Sequence, residues 1–391
     1  MKAIHPAKRM SLIPPYFFAR LGRKIADLRA QGMDVIRIDM GSPDLPPAPP
    51  IVQTLVEQTQ RNDVHGYAPF GGPDTFRQAA AAYYDRRFGV QLDPKSQVLG
   101  LIGSKEGLFN LTQAMVDPGD VVLVPDPGYP VYTAAAVFAG AEVVTMPLRA
   151  ERGFLPDLTA IPGETLDRAR LLWLNYPNNP TGATADLAFF GEVIDLARRH
   201  GFLVGHDAPY TEVCFDGYVA PSLLQVPDAM QVAVEFNSLS KAYNMAGWRL
   251  GMALGNPTAI EALGTLKSQM DSSHFTPIWA AGTAALTGDQ SWLEERNAVY
   301  ETRRDLVLEA FSAMGMACPA PKAALYVWAP LPEGENSSEA FCDRMLSETG
   351  VSVTPGVAFG AEGEGYVRVS LGTDTERMTE AMARLKAWRS G

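Results

Sequence analysis

Residues 238–249 read S-L-S-K-A-Y-N-M-A-G-W-R and directly follow an apolar stretch that predicts a β-strand. The motif places Lys241 close to the hydroxyls of Ser238 and Ser240 and to the guanidinium of Arg249. A lysine amine forms an imine with an aldehyde, while serine hydroxyls and a bidentate guanidinium suit a phosphate group. The motif therefore predicts a site for pyridoxal 5'-phosphate (PLP), a cofactor that acts as an electron sink beside a bound amine.

The alternation of short apolar stretches with longer amphipathic ones predicts the fold class around this motif. The expected strands lie at 121–124, 143–146, 171–174, 202–205 and 232–236, and the expected helices at 109–116, 132–139 and 186–199. Continuous apolar strands separated by helices favour a mostly parallel sheet that is covered on both faces. We therefore expect a large α/β domain over residues 43–285.

The C-terminal part has a different pattern, which predicts a smaller α+β domain over residues 286–391. Helices are expected at 291–314, 338–348 and 374–388, and strands at 324–328, 351–353 and 366–370. Near the other end of the chain, G-S-P at 41–43 breaks the pattern before the large domain begins. Residues 1–42 are therefore expected to form an N-terminal segment that packs with the small domain.

The bulk composition is that of a soluble globular protein, with 47% hydrophobic and 20% charged residues. The net charge of −11 disfavours nucleic acid or a membrane surface as a partner, because both attract basic proteins. Cys214, Cys318 and Cys342 have no metal or redox spacing and indicate a reducing compartment; we expect no metal site. The absence of a signal-peptide pattern and of a long apolar run predicts a cytoplasmic location.

Further polar residues follow predicted strands, where ligands bind in α/β sheets. G-S-K-E-G at 103–107 opens a helix whose N–H groups can donate to a phosphate, although such starts are also ordinary caps. N-Y-P-N-N-P-T-G at 175–182 could be a simple turn, and Asp207 could be a helix cap. His206 is expected to pack against the sheet. Arg368 lies in an apolar strand, where a partly buried guanidinium is expected to pair with a carboxylate.

The order of these motifs is more informative than any one of them. N-P-T-G at 179–182 is followed by D-x-x-Y at 207–210, by S-x-S-K at 238–241 with an arginine eight residues on, and by Arg368. In this order the chain resembles the class I and II aminotransferases of PLP fold type I, over nearly its whole length. The resemblance implies a mostly parallel seven-stranded sheet between helices, plus a smaller α+β domain built from the N- and C-terminal parts.

The resemblance also implies the roles of individual residues at the cofactor. Lys241 matches the lysine that binds PLP covalently and later moves a proton, and Asp207 matches the carboxylate that pairs with the pyridine nitrogen. Tyr210 and Asn179 match the donors to the 3'-oxygen of the ring, and Tyr129 matches the aromatic side chain that stacks on it. The positions that match phosphate-binding residues are Ser104 and Lys105, through their N–H groups, and Ser238, Ser240 and Arg249.

The substrate and the oligomeric state follow from the same resemblance. Arg368 matches the residue that binds the α-carboxylate of the substrate, and Gly41 lies on a loop that closes over it. The other positions assigned to the substrate are Tyr16, Lys105 and Asn179. The family forms homodimers with the site at the interface, so a homodimer is implied, in which Tyr67 of the neighbouring subunit reaches the phosphate.

The implied reaction is a two-stage (ping-pong) transfer of an amino group from an L-amino acid to a 2-oxo acid. Segments 13–19, 102–107 and 237–245 are most similar to the LL-diaminopimelate aminotransferase-like branch, and bacterial aspartate aminotransferases are close to it. Lys105 could bind a side-chain carboxylate, which favours an aspartate- or glutamate-like donor. Against diaminopimelate, A-P-F-G at 68–71 offers no acid for a second ammonium group.

Two other kinds of protein would share these residues. A C–S β-lyase has the same cofactor residues and differs in its products, which are pyruvate and ammonia. A PLP-sensing regulator without catalytic activity would carry a DNA-binding segment ahead of the domain. Here the family pattern begins at Ile13, and no basic helix-turn-helix fits in the twelve residues before it. The sequence therefore favours the aminotransferase.

Overall fold

The structure is a computed structural model that describes residues 4–13 and 17–390, in which strands and helices alternate over most of the chain. Within these residues the strands are β1 (Ile36–Arg37), β2 (Val98–Leu101), β3 (Val121–Asp126), β4 (Glu142–Pro147), β5 (Ala169–Asn175), β6 (Leu203–Asp207), β7 (Ala233–Ser238), β8 (Gly251–Gly255), β9 (Tyr326–Pro330), β10 (Val351–Ser352), β11 (Thr354–Pro355) and β12 (Tyr366–Ser370).

The helices of the same described residues flank these strands in sequence. They are α1 (Phe17–Ala30), α2 (Pro49–Thr59), α3 (Asp74–Phe88), α4 (Ser104–Met115), α5 (Val131–Ala139), α6 (Gly163–Arg168), α7 (Leu187–His200), α8 (Ala229–Val232), α9 (Leu239–Ala242), α10 (Pro257–Lys267), α11 (Thr276–Thr287), α12 (Trp292–Ala313), α13 (Ser338–Thr349) and α14 (Thr375–Ser390). Within residues 4–13 and 17–390, no helix combines the length and apolar character that crossing a membrane requires.

A seven-stranded sheet forms the centre of the large domain, with the order β2-β8-β7-β6-β5-β3-β4. Strands β3 to β7 pair in parallel, whereas β8 runs antiparallel to both of its neighbours, β7 and β2. The predicted mostly parallel seven-stranded sheet is therefore confirmed. The five strands expected from the sequence correspond to β3 to β7.

The two faces of this sheet are both covered by helices, as the continuous apolar strands predicted. In β5, Leu171 and Trp173 join a core with residues of α4, α5 and α10. Leu172 and Leu174 of the same strand join a second core with residues of α3, α7 and α11. Successive strand residues point to opposite faces, so a strand that is buried on both faces has no polar side.

Local capping signals explain where individual helices begin. Asp186 accepts a hydrogen bond from the N–H of Phe189 at 2.8 Å and caps α7, which ends before Gly201 at a positive φ of 77°; both signals follow general capping preferences. Helix α4 begins at Ser104, as the motif at 103–107 predicted, so the helix expected at 109–116 starts earlier than its apolar pattern indicated. Its earlier start brings the first-turn N–H groups to the end of β2.

The smaller domain packs a three-stranded antiparallel sheet, β11-β12-β9, against α12, α13 and α14. The short strand β1 pairs in parallel with β10, and the N–H of Ser370 donates to the carbonyl of Ile38 at 2.7 Å. These bonds join the N-terminal segment to the C-terminal part. They support the proposed boundaries, 1–42, 43–285 and 286–391, which stay a prediction.

Replacement of Gly205 by alanine should destabilise the protein, because a Cβ at this β6 position would lie 2.4 Å from the indole ring of Trp173. Overpacking of a core typically costs ~1–3 kcal/mol, so the melting temperature followed by circular dichroism should fall. Gly191→Ala is the matched control, since a Cβ there meets nothing within 4 Å. Equal melting temperatures for the two variants would contradict this packing.

Candidate active site

A cavity of about 330 Å³ lies beyond the carboxyl ends of β5, β6 and β7, where the large domain meets the smaller one. Most of the residues singled out in the sequence line it, although they are far apart along the chain. These are Gly41, Ser104, Lys105, Tyr129, Asn179, Asp207, Tyr210, Ser238, Ser240, Lys241, Arg249 and Arg368.

Lys241 lies on α9, a single turn that follows β7 directly, so the end of the strand fixes its position. Its Nζ donates a hydrogen bond to the backbone carbonyl of Gly41. Burial, together with the positive charges of Arg368 and Arg249, lowers the pKa of Lys241 from 10.5 to about 8. The neutral, nucleophilic form of this amine is therefore far more populated near neutral pH than it is for an exposed lysine, although the charged form still predominates at pH 7.

Asp207 is the last residue of β6 and is buried, with 4% of its surface exposed. Its Oδ2 accepts a hydrogen bond from the hydroxyl of Tyr132 at 2.8 Å, whereas its Oδ1 is buried and has no partner among the described residues. Burial raises the pKa of Asp207 to about 6, although Tyr132 and His206 oppose this shift. One carboxylate oxygen thus remains for a donor that residues 4–13 and 17–390 do not supply.

The neighbouring His206 belongs to the interior of the sheet, as the sequence indicates. Its Nδ1 lies 2.8 Å from Oε2 of Glu235, and its Nε2 lies 3.0 Å from the carbonyl oxygen of Tyr176. The other oxygen of Glu235 accepts hydrogen bonds from the hydroxyls of Tyr84 and Ser222. This buried network links β6 to β7. Its members His206 and Glu235 do not line the cavity, whereas Asp207 does.

A cluster of donors faces the cavity at the start of α4. Nη1 of Arg249 lies 3.3 Å from Oγ of Ser240, and the first residue of α4 is Ser104. Gly103 has a φ of 73°, and a Cβ there would lie 2.4 Å from Nη2 of Arg249. Only glycine lets the guanidinium approach the helix N-terminus so closely. Helix N–H groups with a guanidinium form a suitable site for a phosphate.

An ion-pair network behind this helix start holds it in place. Oε2 of Glu106 accepts the N–H of Ile102 at 2.7 Å, and Nζ of Lys267 lies 3.2 Å from both oxygens of Glu106. The same ammonium lies 2.7 Å from Asp271, and the Lys267 side chain is 0% exposed. Burial raises the pKa of Glu106, and the charge of Lys267 counteracts the shift. Sequence patterns did not predict this contact between α4 and α10.

Arg368 is buried, with 3% of its surface exposed, and it corrects one expectation from the sequence. Its guanidinium donates to the side-chain oxygen of Asn179 and to the backbone carbonyl of Asp39, each at 2.8 Å. Among residues 4–13 and 17–390 no carboxylate forms an ion pair with it, so the expected carboxylate partner within the chain is wrong. The uncompensated cation, with its buried Nε lacking a partner in the described residues, suits a carboxylate brought by a ligand.

Two tyrosines were not assigned a role from the sequence: Tyr326, which lines the cavity, and Tyr132, which contacts the cavity residue Asp207. Tyr132 bonds to Asp207, and the hydroxyl of Tyr326 lies 2.8 Å from that of Tyr210. Burial and Tyr326 raise the pKa of Tyr210 well above its usual value. Tyr132 could have been noticed three residues after Tyr129, whereas Tyr326 carries no local signal because only the tertiary fold brings β9 here.

The structure does not place two of the assigned residues in the cavity. Tyr67 is 92% exposed and does not line the cavity of the single chain. Tyr16 lies outside the described residues. The role assigned to Tyr67 requires a neighbouring subunit.

The sequence of this chain matches a known protein family. The profile of the family described as aminotransferase class I and II matches residues 33–385, and the chain belongs to this family. The resemblance noted in the sequence is therefore confirmed.

Similar proteins cover nearly the full chain. An LL-diaminopimelate aminotransferase from Moorella thermoacetica is 50% identical over 380 residues, which is 97% of each chain. A substrate-bound BacF structure from Bacillus subtilis is 36% identical with a TM-score of 0.94, covering 99% of this chain and 98% of that one. The aspartate aminotransferase of Thermotoga maritima is 29% identical with a TM-score of 0.91, covering 99% and 100%. The chain is thus an enzyme of the transaminase type.

Substitution of Lys267 by methionine should destabilise the protein, because it leaves Glu106 and Asp271 partly buried without their cation. Removing one partner of such a pair typically costs ~3–5 kcal/mol, which a fall in melting temperature would report. Lys386→Met is the control, since the pair of Lys386 with Glu309 is largely exposed and such pairs contribute ~1 kcal/mol or less. Similar losses in both variants would contradict the structural role of Lys267.

Proposed function

We propose that this aminotransferase uses PLP, held in the cavity by the residues that the sequence motif identified. The observation that carries the proposal is the buried Oδ1 of Asp207, which has no partner among the described residues, in a cavity that also contains Lys241. A cofactor with a protonated ring nitrogen, an aldehyde and a phosphate fits these groups. The nitrogen would pair with Asp207, the aldehyde with Lys241, and the phosphate with the N-terminus of α4 and Arg249.

The role proposed for each residue is based on its contacts. When bound, PLP withdraws electrons from the Cα of an attached amino acid and so makes its proton acidic. Asp207, which is held by Tyr132, would keep the ring nitrogen charged. Tyr210 would donate to the ring oxygen, and Asn179 offers its amide NH2 there while its oxygen accepts from Arg368. The amine of Lys241 would take the proton from Cα as a general base.

The same lysine is suited to a proton transfer because of its surroundings. Its pKa of about 8 lies close to the working pH, a condition that favours general acid–base catalysis. The carbonyl of Gly41 accepts from its Nζ and directs the amine across the cavity. The smaller domain supplies Arg368, so that both domains contribute to the reaction.

The substrates are proposed to be an L-amino acid with a second carboxylate and a 2-oxo acid. Arg368 would bind the α-carboxylate in a bidentate manner. Burial and Arg249 lower the pKa of Lys105, whose ammonium lies 5.6 Å from the ring centre of Tyr129; it would attract a distal carboxylate. LL-diaminopimelate, which names the Moorella relative, has two carboxylates, as do aspartate and glutamate. All three are therefore candidates for the donor.

A homodimer in the cytoplasm, with neither nucleic acid nor a membrane as partner, completes the proposal. The exposed ring of Tyr67 would reach the phosphate of the neighbouring subunit. Phe70 and Phe275 are also exposed, and Phe275 stacks on His65 with ring centres 5.7 Å apart. Phe70 lies in the same segment of the chain as Tyr67, and Phe275 contacts that segment through His65, so these exposed rings support an interface at this surface.

The proposed function predicts that the PLP-loaded enzyme transfers nitrogen from an amino donor to 2-oxoglutarate or pyruvate. LL-diaminopimelate, aspartate, glutamate and a monocarboxylic control such as alanine should be compared by chromatography of the new amino acid. Donors with a second carboxylate should have the higher kcat/KM. Lys241→Ala should lower kcat by at least ~10²-fold, because the general base is lost.

The products in this assay also separate transfer from elimination. A new amino acid without ammonia supports the aminotransferase, as the similar proteins favour. Pyruvate and ammonia formed from an S-substituted cysteine, with release of its thiol and no nitrogen reaching the 2-oxo acid, would instead establish a C–S β-lyase. A Lys241→Ala variant with normal turnover would contradict the assignment of the lysine.

The lowered pKa of Lys241 gives a prediction for cofactor uptake. Only the neutral amine attacks an aldehyde, so the rate at which apoprotein takes up PLP should rise with pH and level off above about 8. The rate can be followed by absorbance after rapid mixing. Reaction of PLP with N-α-acetyl-lysine is the control and should keep rising toward pH ~10.4. A protein curve that follows the control would contradict the burial of the amine.

A further inference from the structure

The side chain of Tyr326 contacts both Tyr210, proposed to bind the cofactor, and Arg368, proposed to bind the substrate. It opens β9, where it pairs with Ser370 of β12, the strand that also carries Arg368. The side chain is buried, with 2% of the surface exposed, and it lines the cavity. It thus reaches from the sheet of the smaller domain into the centre of the site.

The hydroxyl of Tyr326 meets the hydroxyl of Tyr210. The two oxygens are 2.8 Å apart, and the rings meet edge to face with centres separated by 5.5 Å. Gly41 packs so closely on the other side that a Cβ there would lie 2.3 Å from the Tyr326 oxygen. The hydroxyl is therefore confined, with Tyr210 as a partner at hydrogen-bonding distance.

The ring of Tyr326 meets the guanidinium of Arg368. The distance from Cζ of Arg368 to the ring centre is 4.3 Å. Phe359 approaches the same guanidinium at 4.6 Å. An arginine over an aromatic face is stabilised by the ring quadrupole, most strongly where water is excluded. The ring and the hydroxyl of one side chain thus contact two different functional groups.

We propose that Tyr326 is a positioning residue with two separable contributions, an inference that rests on the proposed function. Its hydroxyl donates to the oxygen of Tyr210, which leaves the proton of Tyr210 for the ring oxygen of PLP. A phenol that accepts a hydrogen bond is a stronger donor itself, so this chain of two bonds favours the ionised ring oxygen. Its aromatic ring holds Arg368 in the orientation that binds the substrate carboxylate.

Other charged and titratable groups face the same cavity and limit which variants are informative. Besides the two tyrosines they are Lys105, Tyr129, Asp207, Lys241, Arg249 and Arg368. None of them is altered when only the hydroxyl of Tyr326 is removed. A change in the titration of the bound cofactor in such a variant therefore reports the hydrogen bond to Tyr210.

The test uses Tyr326→Phe and Tyr326→Leu in the PLP-loaded enzyme. For Tyr326→Phe, the pH midpoint of the cofactor absorption band should rise by about half a pH unit or more, and the KM of the donor should change little. Tyr326→Leu should show the same rise together with a KM increase of about threefold or more, since the ring is also lost. Tyr210→Phe should raise the midpoint at least as far as Tyr326→Phe does.

The double variant Tyr210→Phe/Tyr326→Phe separates a relay from two independent effects. If Tyr326 acts through Tyr210, the double variant should have the midpoint of Tyr210→Phe alone. Additive shifts, or an unchanged midpoint in Tyr326→Phe while Tyr210→Phe changes it, would overturn the inference and leave the proposed function standing. A wild-type enzyme without a lysine-bound cofactor band would overturn the proposed function itself.

Discussion

The site depends on one constraint: a buried carboxylate for which the described part of the chain supplies no cationic partner. Asp207 ends β6 inside the protein, and one of its oxygens has no donor among the described residues. An unpaired buried charge costs several kcal/mol, which raises its pKa and favours any cationic ligand that fits. The hydrogen bond from Tyr132 holds one oxygen of this carboxylate, and Asp207 lines the cavity.

The remaining charges of the cavity have the opposite sign. Lys105, Lys241, Arg249 and Arg368 line it together with Asp207, although the whole chain carries a net charge of −11. Their mutual repulsion contributes to the lowered pKa of the two lysines. A phosphate and a substrate carboxylate would relieve this repulsion. A cavity built from these charges therefore suits a ligand with one cationic centre and several anionic groups.

The sequence predicted the residues that lie beside strand ends and missed those that only tertiary packing brings in. Lys241 and Asp207 follow strands, and strand ends of a parallel sheet converge at one edge. Tyr326 and Lys267 contact residues more than a hundred positions away, Tyr210 and Glu106, so no local pattern shows them. The prediction that Arg368 pairs with a carboxylate of the chain was wrong for the same reason. Its observed partners, Asn179 and Asp39, lie far from it in the sequence.

The mostly parallel sheet could be predicted because burial on both faces leaves a pattern in the sequence of a strand. Strands buried on both faces are largely apolar, and this pattern is visible in β3 and β5, whereas the edge strand β4 is mostly exposed. Strand β10 lies within the strand expected at 351–353, whereas β1 was not expected, since two residues show no periodicity. Their pairing depends on the packing of the smaller domain.

The central claim is that Lys241 binds the cofactor covalently, and mass spectrometry after borohydride reduction tests it most directly. Borohydride converts an imine between a lysine and an aldehyde into a stable amine. Digestion of the reduced, PLP-loaded protein should yield one phosphopyridoxyl group, on the peptide that contains Lys241. A label at another lysine, or no label on a protein that retains PLP, would contradict the account.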